Sequence, residues 1–223
     1  MRRKKYLHIA VIGNIASGKT TASKILADAF KAEIVLEPFI DNPFLPDFIN
    51  DKKRWAFVTE LYFLRDRLKQ HENVKNLLLK NNVIVDSGML MSTWVYSKNQ
   101  FKEGYLSDNE WQFYLDLHKE LKKSYINENL VIYIKACPDL SLKRIRKRGR
   151  DFEKGYDLTY LNQLFTQLEE LKEKLKEEET PLLEFDTGVY DLTDLKNQKG
   201  LIRLAKKKLK EIKKQCINIQ PKN

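Results

Sequence analysis

A chain of 223 residues with a net charge of +10 is long enough for one α/β domain with a full core, and its positive balance suits polyanionic ligands. Its two cysteines, Cys137 and Cys216, have no metal-ligand spacing, which argues against a cysteine zinc site or a disulfide scaffold. No apolar run approaches membrane-spanning length, and the Met-Arg-Arg-Lys-Lys start leads into an apolar stretch too short for a signal peptide. A soluble cytoplasmic protein without nucleic-acid or membrane partners is the expectation, because much of the excess charge is lysine on helix faces, as in Lys206-Lys207-Lys208.

The first strand candidate, 6–12, holds the mostly apolar run Leu7-His8-Ile9-Ala10-Val11-Ile12. It leads into Gly13-Asn14-Ile15-Ala16-Ser17-Gly18-Lys19-Thr20, which fits G-x-x-x-x-G-K-[ST]. A helical pattern over 17–31 follows, with Ile25, Leu26, Ala29 and Phe30 on one face. Strand, glycine loop and helix form the context of a phosphate-binding loop. Gly13 and Gly18 permit the tight turn that aims successive amides at phosphate oxygens, and the helix N-terminus adds to the attraction. Lys19 supplies a mobile positive charge for the outer phosphates, and the Thr20 hydroxyl can hold magnesium. The bare pattern arises by chance in roughly one chain of this length in a hundred, and the flanking elements lower that further.

The second strand candidate, 32–36, ends at Glu37-Pro38. A carboxylate there can accept a proton from an attacking hydroxyl, or it is an ordinary polar strand end before a proline. A long helix over 52–80 carries Trp55, Val58, Leu61, Tyr62, Leu64, Leu68 and Val74 as its apolar stripe. Glu60, Arg67, Trp55, Phe57 and Tyr62 either read and stack on a flat heterocycle or form a core stripe with an internal Glu–Arg pair. Periodicity alone favours the core.

The third strand candidate, 82–86, ends at Asp86. Asp86 either binds magnesium with Thr20 or caps the following segment; the metal implied by the loop favours the first. Helical patterns cover 88–100 and 107–127, and a fourth strand covers 130–135. Cys137 beside that strand reads as a buried structural thiol. The helix over 138–147 leads into Arg144, Arg146, Lys147, Arg148 and Arg150, with Gly149 as a hinge. Guanidinium forks match the charge spread of a transferring phosphoryl group, so an Arg-rich lid over about 146–156 is preferred to a nucleic-acid patch.

Helices over 157–178 and 195–213 flank a fifth strand at 182–185. The Glu- and Lys-dense segment 169–179 reads as an exposed face laced with ion pairs. Strands alternating with helices give a three-layer α/β sandwich of the P-loop NTPase kind, a five-stranded parallel sheet in a single domain over 1–223. Ligands in such sheets bind at the carboxyl ends of the strands.

Taken together, the motifs resemble the deoxyribonucleoside kinase family, especially its bacterial deoxyadenosine and deoxyguanosine kinases, over roughly residues 6–170. The resemblance rests on the phosphate loop, Asn42-Pro43-Phe44-Leu45, Lys53-Arg54-Trp55-Ala56-Phe57, and Tyr62-Phe63-Leu64 with Arg67. Ser107-Asp108 through Trp111, Tyr114-Leu115-Asp116-Leu117-His118, and Arg148-Gly149-Arg150 with Glu153 extend it. It implies that ATP is the phosphoryl donor, that Glu37 is the base for the 5′-hydroxyl, and that Lys19, Arg148 and Arg150 stabilise the phosphoryl group. It further implies that Thr20 and Asp86 organise Mg2+, that Arg144 lies against the donor adenine, and that Glu153 contacts the sugar. Trp55, Glu60, Arg67 and Phe113 would line the nucleoside pocket. Dimers are common in the family. The helices at about 88–100 and 107–127, with Trp94, Tyr96, Phe101, Trp111 and Phe113, offer a surface for one, with an identical or a different partner.

The departures cluster on the acceptor side. The family's acidic-Arg-Ser/Thr triplet is Asp86-Ser87-Gly88 here, Ser92 stands at a base-reading acidic position, Glu60 at a base-reading glutamine and Ile49 at a sugar-contacting tyrosine. Two accounts follow. One is an active kinase of altered acceptor preference, in which Glu60 suits a guanine-type edge offering two N–H groups. The other is a weakly active or non-catalytic nucleotide-binding paralogue. A nucleoside monophosphate kinase is disfavoured because Leu36, not arginine, precedes Glu37-Pro38.

Overall fold

The computed structural model describes residues 6–36, 42–150 and 153–218, with side chains as far as Lys214. Five strands, β1 (His8–Gly13), β2 (Ala32–Val35), β3 (Asn82–Asp86), β4 (Leu130–Lys135) and β5 (Leu182–Asp186), form one sheet in the order β2-β3-β1-β4-β5. Every pairing is parallel, with Ile9 opposite Ile84 and Leu130, and Ile132 opposite Leu183. The central strands are apolar at nearly every position because both faces are covered.

Alternation along the strands assigns the faces. Ile9, Val11, Ile84, Leu130, Ile132 and Ile134 pack against α1 (Lys19–Phe30) and α9 (Leu195–Asn218), which contribute Ala22, Leu26, Leu201 and Ala205. On the opposite face Ile12, Val131 and Tyr133 meet Met91, Val95 and the Leu164, Leu168, Leu171 and Leu175 stripe of α8 (Leu158–Glu177). The long α3 (Lys52–Leu77) lies along β2 and β3 through Val74, which joins Val35, Val83 and Val85. This is the three-layer architecture the sequence implies.

Local signals account for most boundaries. Asp51 caps α3 by accepting the Arg54 amide at 3.1 Å. Ser107 and Glu110 form a capping box at the start of α6 (Asp108–Lys122). Gly149 ends α7 (Pro138–Arg148) in the left-handed region at φ +66°, which a cap of this kind needs. The glycine expected as a hinge thus stands at the C-terminal cap of α7.

Three expectations change. A short helix α2 (Leu45–Asn50) precedes α3. The helix expected over 88–100 is three pieces, α4 (Met89–Met91), a π-helical stretch Ser92–Ser97 and α5 (Lys98–Lys102). Cys137 is exposed, because it stands at the start of α7, outside the strand that would have buried it. Among the described residues no helix is long and apolar enough to cross a membrane.

Candidate active site

The phosphate loop joins β1 to α1 at the middle of the sheet. β3 ends beside it, so the residues following β1 and β3 face one crevice, where ligands of such sheets bind. A Cβ on Gly13 would lie 2.4 Å from the Ile134 carbonyl oxygen and 2.6 Å from Ser17 Oγ, so glycine is obligatory for the loop to pass β4. Ala16 and Gly18 sit at φ +57° and +103°. The N-terminus of α1 has no side-chain cap. Its leading amides therefore retain their capacity to bind an anion.

Several side chains brace the loop. Asn14 donates through Nδ2 to the Leu161 carbonyl at 3.0 Å, while its Oδ1 accepts the Ile15 amide at 2.8 Å. Arg144 donates through Nη1 to the Ser17 carbonyl at 3.1 Å and to Thr187 Oγ1 at 2.9 Å, and through Nη2 to the Thr187 carbonyl at 3.1 Å. Arg144 thus binds by its edge to the loop and to the turn after β5.

Lys19 donates to the Asn14 carbonyl at 2.9 Å. Burial lowers its pKa to about 8; the nearby Asp86 carboxylate opposes that shift, Arg148 adds to it and Glu153 opposes it. These four side chains therefore share one electrostatic neighbourhood. Thr20 Oγ1 donates to Asp86 Oδ2 at 2.5 Å. The other oxygen, Asp86 Oδ1, is buried with no hydrogen-bond partner. Asp86 is not seen to cap the segment that follows: its Oδ2 takes the Thr20 hydroxyl and its Oδ1 takes no amide. A buried carboxylate oxygen beside a threonine hydroxyl suits a hard divalent cation.

Arg148 is held by Glu153 through Nε to Oε2 at 3.0 Å and Nη2 to Oε1 at 2.5 Å, and Arg150 Nη1 lies 3.8 Å from the same Oε1. Glu153 is buried. One carboxylate thus gathers two guanidinium groups, of which Arg148 acts on Lys19. Asp151 and Phe152, inside the segment expected to form a lid, lie outside the described residues, as does Glu37.

Glu60 and Arg67, expected at the nucleoside, are both buried. Ser97 Oγ donates to Glu60 Oε2 at 2.5 Å. Arg67 donates through Nη1 to Gln70 Oε1 at 3.1 Å and to the Ser87 carbonyl at 3.3 Å, and Gln70 Nε2 donates to the Leu36 carbonyl at 3.1 Å. Burial lowers Arg67 to about 10, with Tyr96, Tyr114, Tyr125 and Asp86 acting against the shift, so it stays charged at neutral pH. Ser87 itself sits at φ +56°. Trp55 stacks on Phe44 at 6.0 Å, and Phe113, half exposed, meets the edge of Phe57 at 6.1 Å.

A model of the deoxynucleoside kinase family matches residues 9–210. The chain belongs to that family. Over 174 residues this kinase is 34% identical to a deoxyguanosine kinase of Bacillus subtilis (strain 168), covering 78% of this chain and 82% of that protein. It is 31% identical over 158 residues to a deoxyadenosine kinase of Dictyostelium discoideum, covering 71% of this chain and 63% of that protein, less than two thirds of its length. Among solved structures, the deoxyadenosine kinase from M. mycoides with bound dCTP superposes with a TM-score of 0.75 at 25% identity, covering 92% of this chain and 100% of that chain.

Within the kinase fold, Lys19, Thr20, Asp86, Arg148 and Glu153 lie in one neighbourhood, with Arg150 against Glu153; Glu153, expected at the sugar, holds Arg148 instead of standing apart from it. Thr187, Gln70 and Ser97 were missed. Thr187 follows β5 directly, so the strand-end rule could have found it. Gln70 stands one turn from Arg67 on α3, a weaker signal. Ser97 reaches Glu60 through the π-helical register, in which the Lys98 amide bonds to the Thr93 carbonyl, and helical periodicity does not reveal such a register.

Proposed function

We propose that the chain catalyses ATP-dependent, magnesium-assisted transfer of the γ-phosphoryl group to the 5′-hydroxyl of a purine deoxyribonucleoside, as a homodimer. The observation that carries this reading is the cluster of Lys19, Thr20, Asp86 and Arg148 at an uncapped helix N-terminus. A triphosphate meets loop amides, one ammonium and one guanidinium there, and the positive charge opposes the charge that builds in the transition state. Thr20 and Asp86 would hold the metal, which when bound neutralises phosphate charge. The edge-bound Arg144 leaves its guanidinium faces for the donor adenine.

Glu37, which follows Leu36 in the sequence, is assigned the base that receives the 5′-hydroxyl proton. Glu153 would leave Arg148 to meet the sugar. Trp55, Glu60, Arg67 and Phe113 form the nucleoside side. Relatives named for deoxyguanosine and for deoxyadenosine support a purine. Most aromatic residues of the candidate dimer face also pack within the chain, as in the Phe101–Trp111–Tyr114 stack, and Phe113 remains half exposed.

Steady-state phosphorylation of each deoxyribonucleoside and ribonucleoside, with Lys19→Ala as the control, tests this reading. Turnover of purine deoxyribonucleosides that Lys19→Ala abolishes is expected. Binding of ATP without turnover of any nucleoside would instead favour a non-catalytic nucleotide-binding subunit, the reading to which Ser87 in place of an arginine points.

A further inference from the structure

Glu60 is 3% exposed, and its surroundings are unusual for a carboxylate. The Ser97 hydroxyl donates to Oε2. Tyr114 from α6 and Tyr160 from α8 are close enough for their phenols to feel its charge, and burial raises both so that they stay protonated. Among the described residues no cation stands against it: Arg67 lies two turns away on the same helix and donates to Gln70 and Ser87. A buried carboxyl with a hydroxyl donor and no cation resists ionisation. Burial pushes Glu60 up to about 7, against the opposing effect of the Ser97 bond.

This carboxyl belongs to the same polar region as the phosphate side. Tyr160 is coupled to Glu60 and to Tyr156, and Tyr156 to Glu153 and Arg148. Burial raises Tyr96, and the charges of Arg67 and Asp86 are near enough to act on it in opposite directions.

The two states of a carboxyl offer different edges. Protonated, it presents one O–H donor and one acceptor oxygen, the same pair as a glutamine amide; ionised, it presents acceptors only. An adenine edge, with its ring nitrogen acceptor and amino donor, matches the first. A guanine edge, with ring N–H and amino donors side by side, matches the second. We infer that Glu60 is a specificity-determining residue that makes base choice depend on pH: with its proton it takes the adenine edge, and without it the guanine edge. Ser97 fixes the outcome by occupying Oε2, so that the proton resides on Oε1. The inference rests on the purine-acceptor reading above and adds the rule by which the acceptor is chosen.

The test is the ratio of kcat/KM for deoxyguanosine to that for deoxyadenosine between about pH 6 and pH 8, with dissociation constants of both nucleosides measured in parallel. Lys19 and the proton acceptor act on both substrates alike and cancel in the ratio. Neither purine titrates in this range. The ratio should rise by roughly tenfold per pH unit on the steep part of the titration. Glu60→Gln should give a flat ratio favouring deoxyadenosine. A flat wild-type ratio, or a Glu60→Gln variant that keeps the slope, overturns the inference. If nucleosides bind without being phosphorylated, the kinase reading fails while the ratio of dissociation constants still decides the role of Glu60. If neither purine nucleoside binds, both readings fail. If Glu60→Gln does not fold, the wild-type series decides alone.

Discussion

Arg67 places its guanidinium on the main-chain oxygen of Ser87, 3.3 Å away. Ser87 occupies the position where the family resemblance leads one to expect an arginine, and its backbone is in the left-handed region. With Gln70, which reaches the Leu36 carbonyl, Arg67 ties the ends of β2 and β3 to one face of α3. Asp86 is the residue before Ser87, so on the proposed function Arg67, besides lining the nucleoside side, would also steady the proposed metal carboxylate through its backbone anchor. Arg67→Met should raise the magnesium concentration for half-maximal rate and lower kcat by roughly 10–100-fold, as removal of outer supports of metal ligands does. A variant with unchanged magnesium dependence would show that the anchor serves stability alone.

Thr20 and Asp86 give a second prediction. Removing the hydroxyl in Thr20→Val deletes the donor to Asp86 Oδ2, and Asp86→Asn removes the charge that would face the proposed metal. Thr20→Ser should keep activity within a few fold, whereas Thr20→Val and Asp86→Asn should each lose on the order of 10²–10³ in kcat. The loss should be partly recovered at high magnesium for Thr20→Val, where one carboxylate remains. Activity measured across a magnesium series checks this; equal, magnesium-independent losses for Thr20→Ser and Thr20→Val would point to packing instead.

The sheet was legible because parallel strands buried on both faces read as continuous apolar runs. Val83-Ile84-Val85 and Leu130-Val131-Ile132 have no polar position to blur the pattern, and the expected and observed strand limits differ by at most two residues. The phosphate loop was legible because its backbone demands glycine at fixed spacing. The destination of Arg67 was not, since a long side chain meets a carbonyl twenty positions away that only the fold brings near. The segment 169–179 was half legible. Its Lys174–Glu178 pair is the expected helical kind, yet Glu170 holds Lys98 and Lys102, and Leu171 and Leu175 are core. The split of 88–100 was hidden because Ser92-Thr93-Trp94-Val95-Tyr96-Ser97 satisfies an ordinary helical pattern equally well.

Thr187 supports a prediction about donor affinity. It is buried, donates to the Ser17 carbonyl at 2.8 Å and accepts from Arg144 at 2.9 Å. Thr187→Val keeps the shape and removes these bonds together with the hydroxyl's contact to the Lys135 carbonyl at 3.1 Å, leaving the Arg144 donor short of one partner. The cost should be about 1–3 kcal/mol of stability, with the KM for ATP rising several-fold while kcat changes less. Thermal unfolding with and without ATP separates the two effects. An unchanged KM for ATP alongside lowered stability would mean that the turn after β5 braces the fold and does not shape the donor site.

If Lys19 meets the triphosphate as proposed, nucleotide binding and proton uptake should be a single event. In the unliganded fold burial holds its pKa at about 8, below the 10.5 of the free side chain. The unfolded chain therefore binds this proton more tightly than the folded one. The group opposes folding below pH 8, and that opposition is relieved as pH rises from 8 towards 10.5. A triphosphate beside the ammonium reverses the shift, because an adjacent anion favours the charged form. At about pH 8.5, where the unliganded lysine is largely neutral, ATP binding should take up a large part of one proton. Calorimetric titrations in buffers of different ionisation enthalpy measure this directly, as the slope of observed heat against buffer enthalpy. The slope should vanish in Lys19→Arg, which keeps its charge throughout and still binds, and in Lys19→Met, which binds weakly. A wild-type slope of zero at that pH would mean that Lys19 is already charged before the nucleotide arrives, and that the desolvation within the loop is smaller than its enclosure implies.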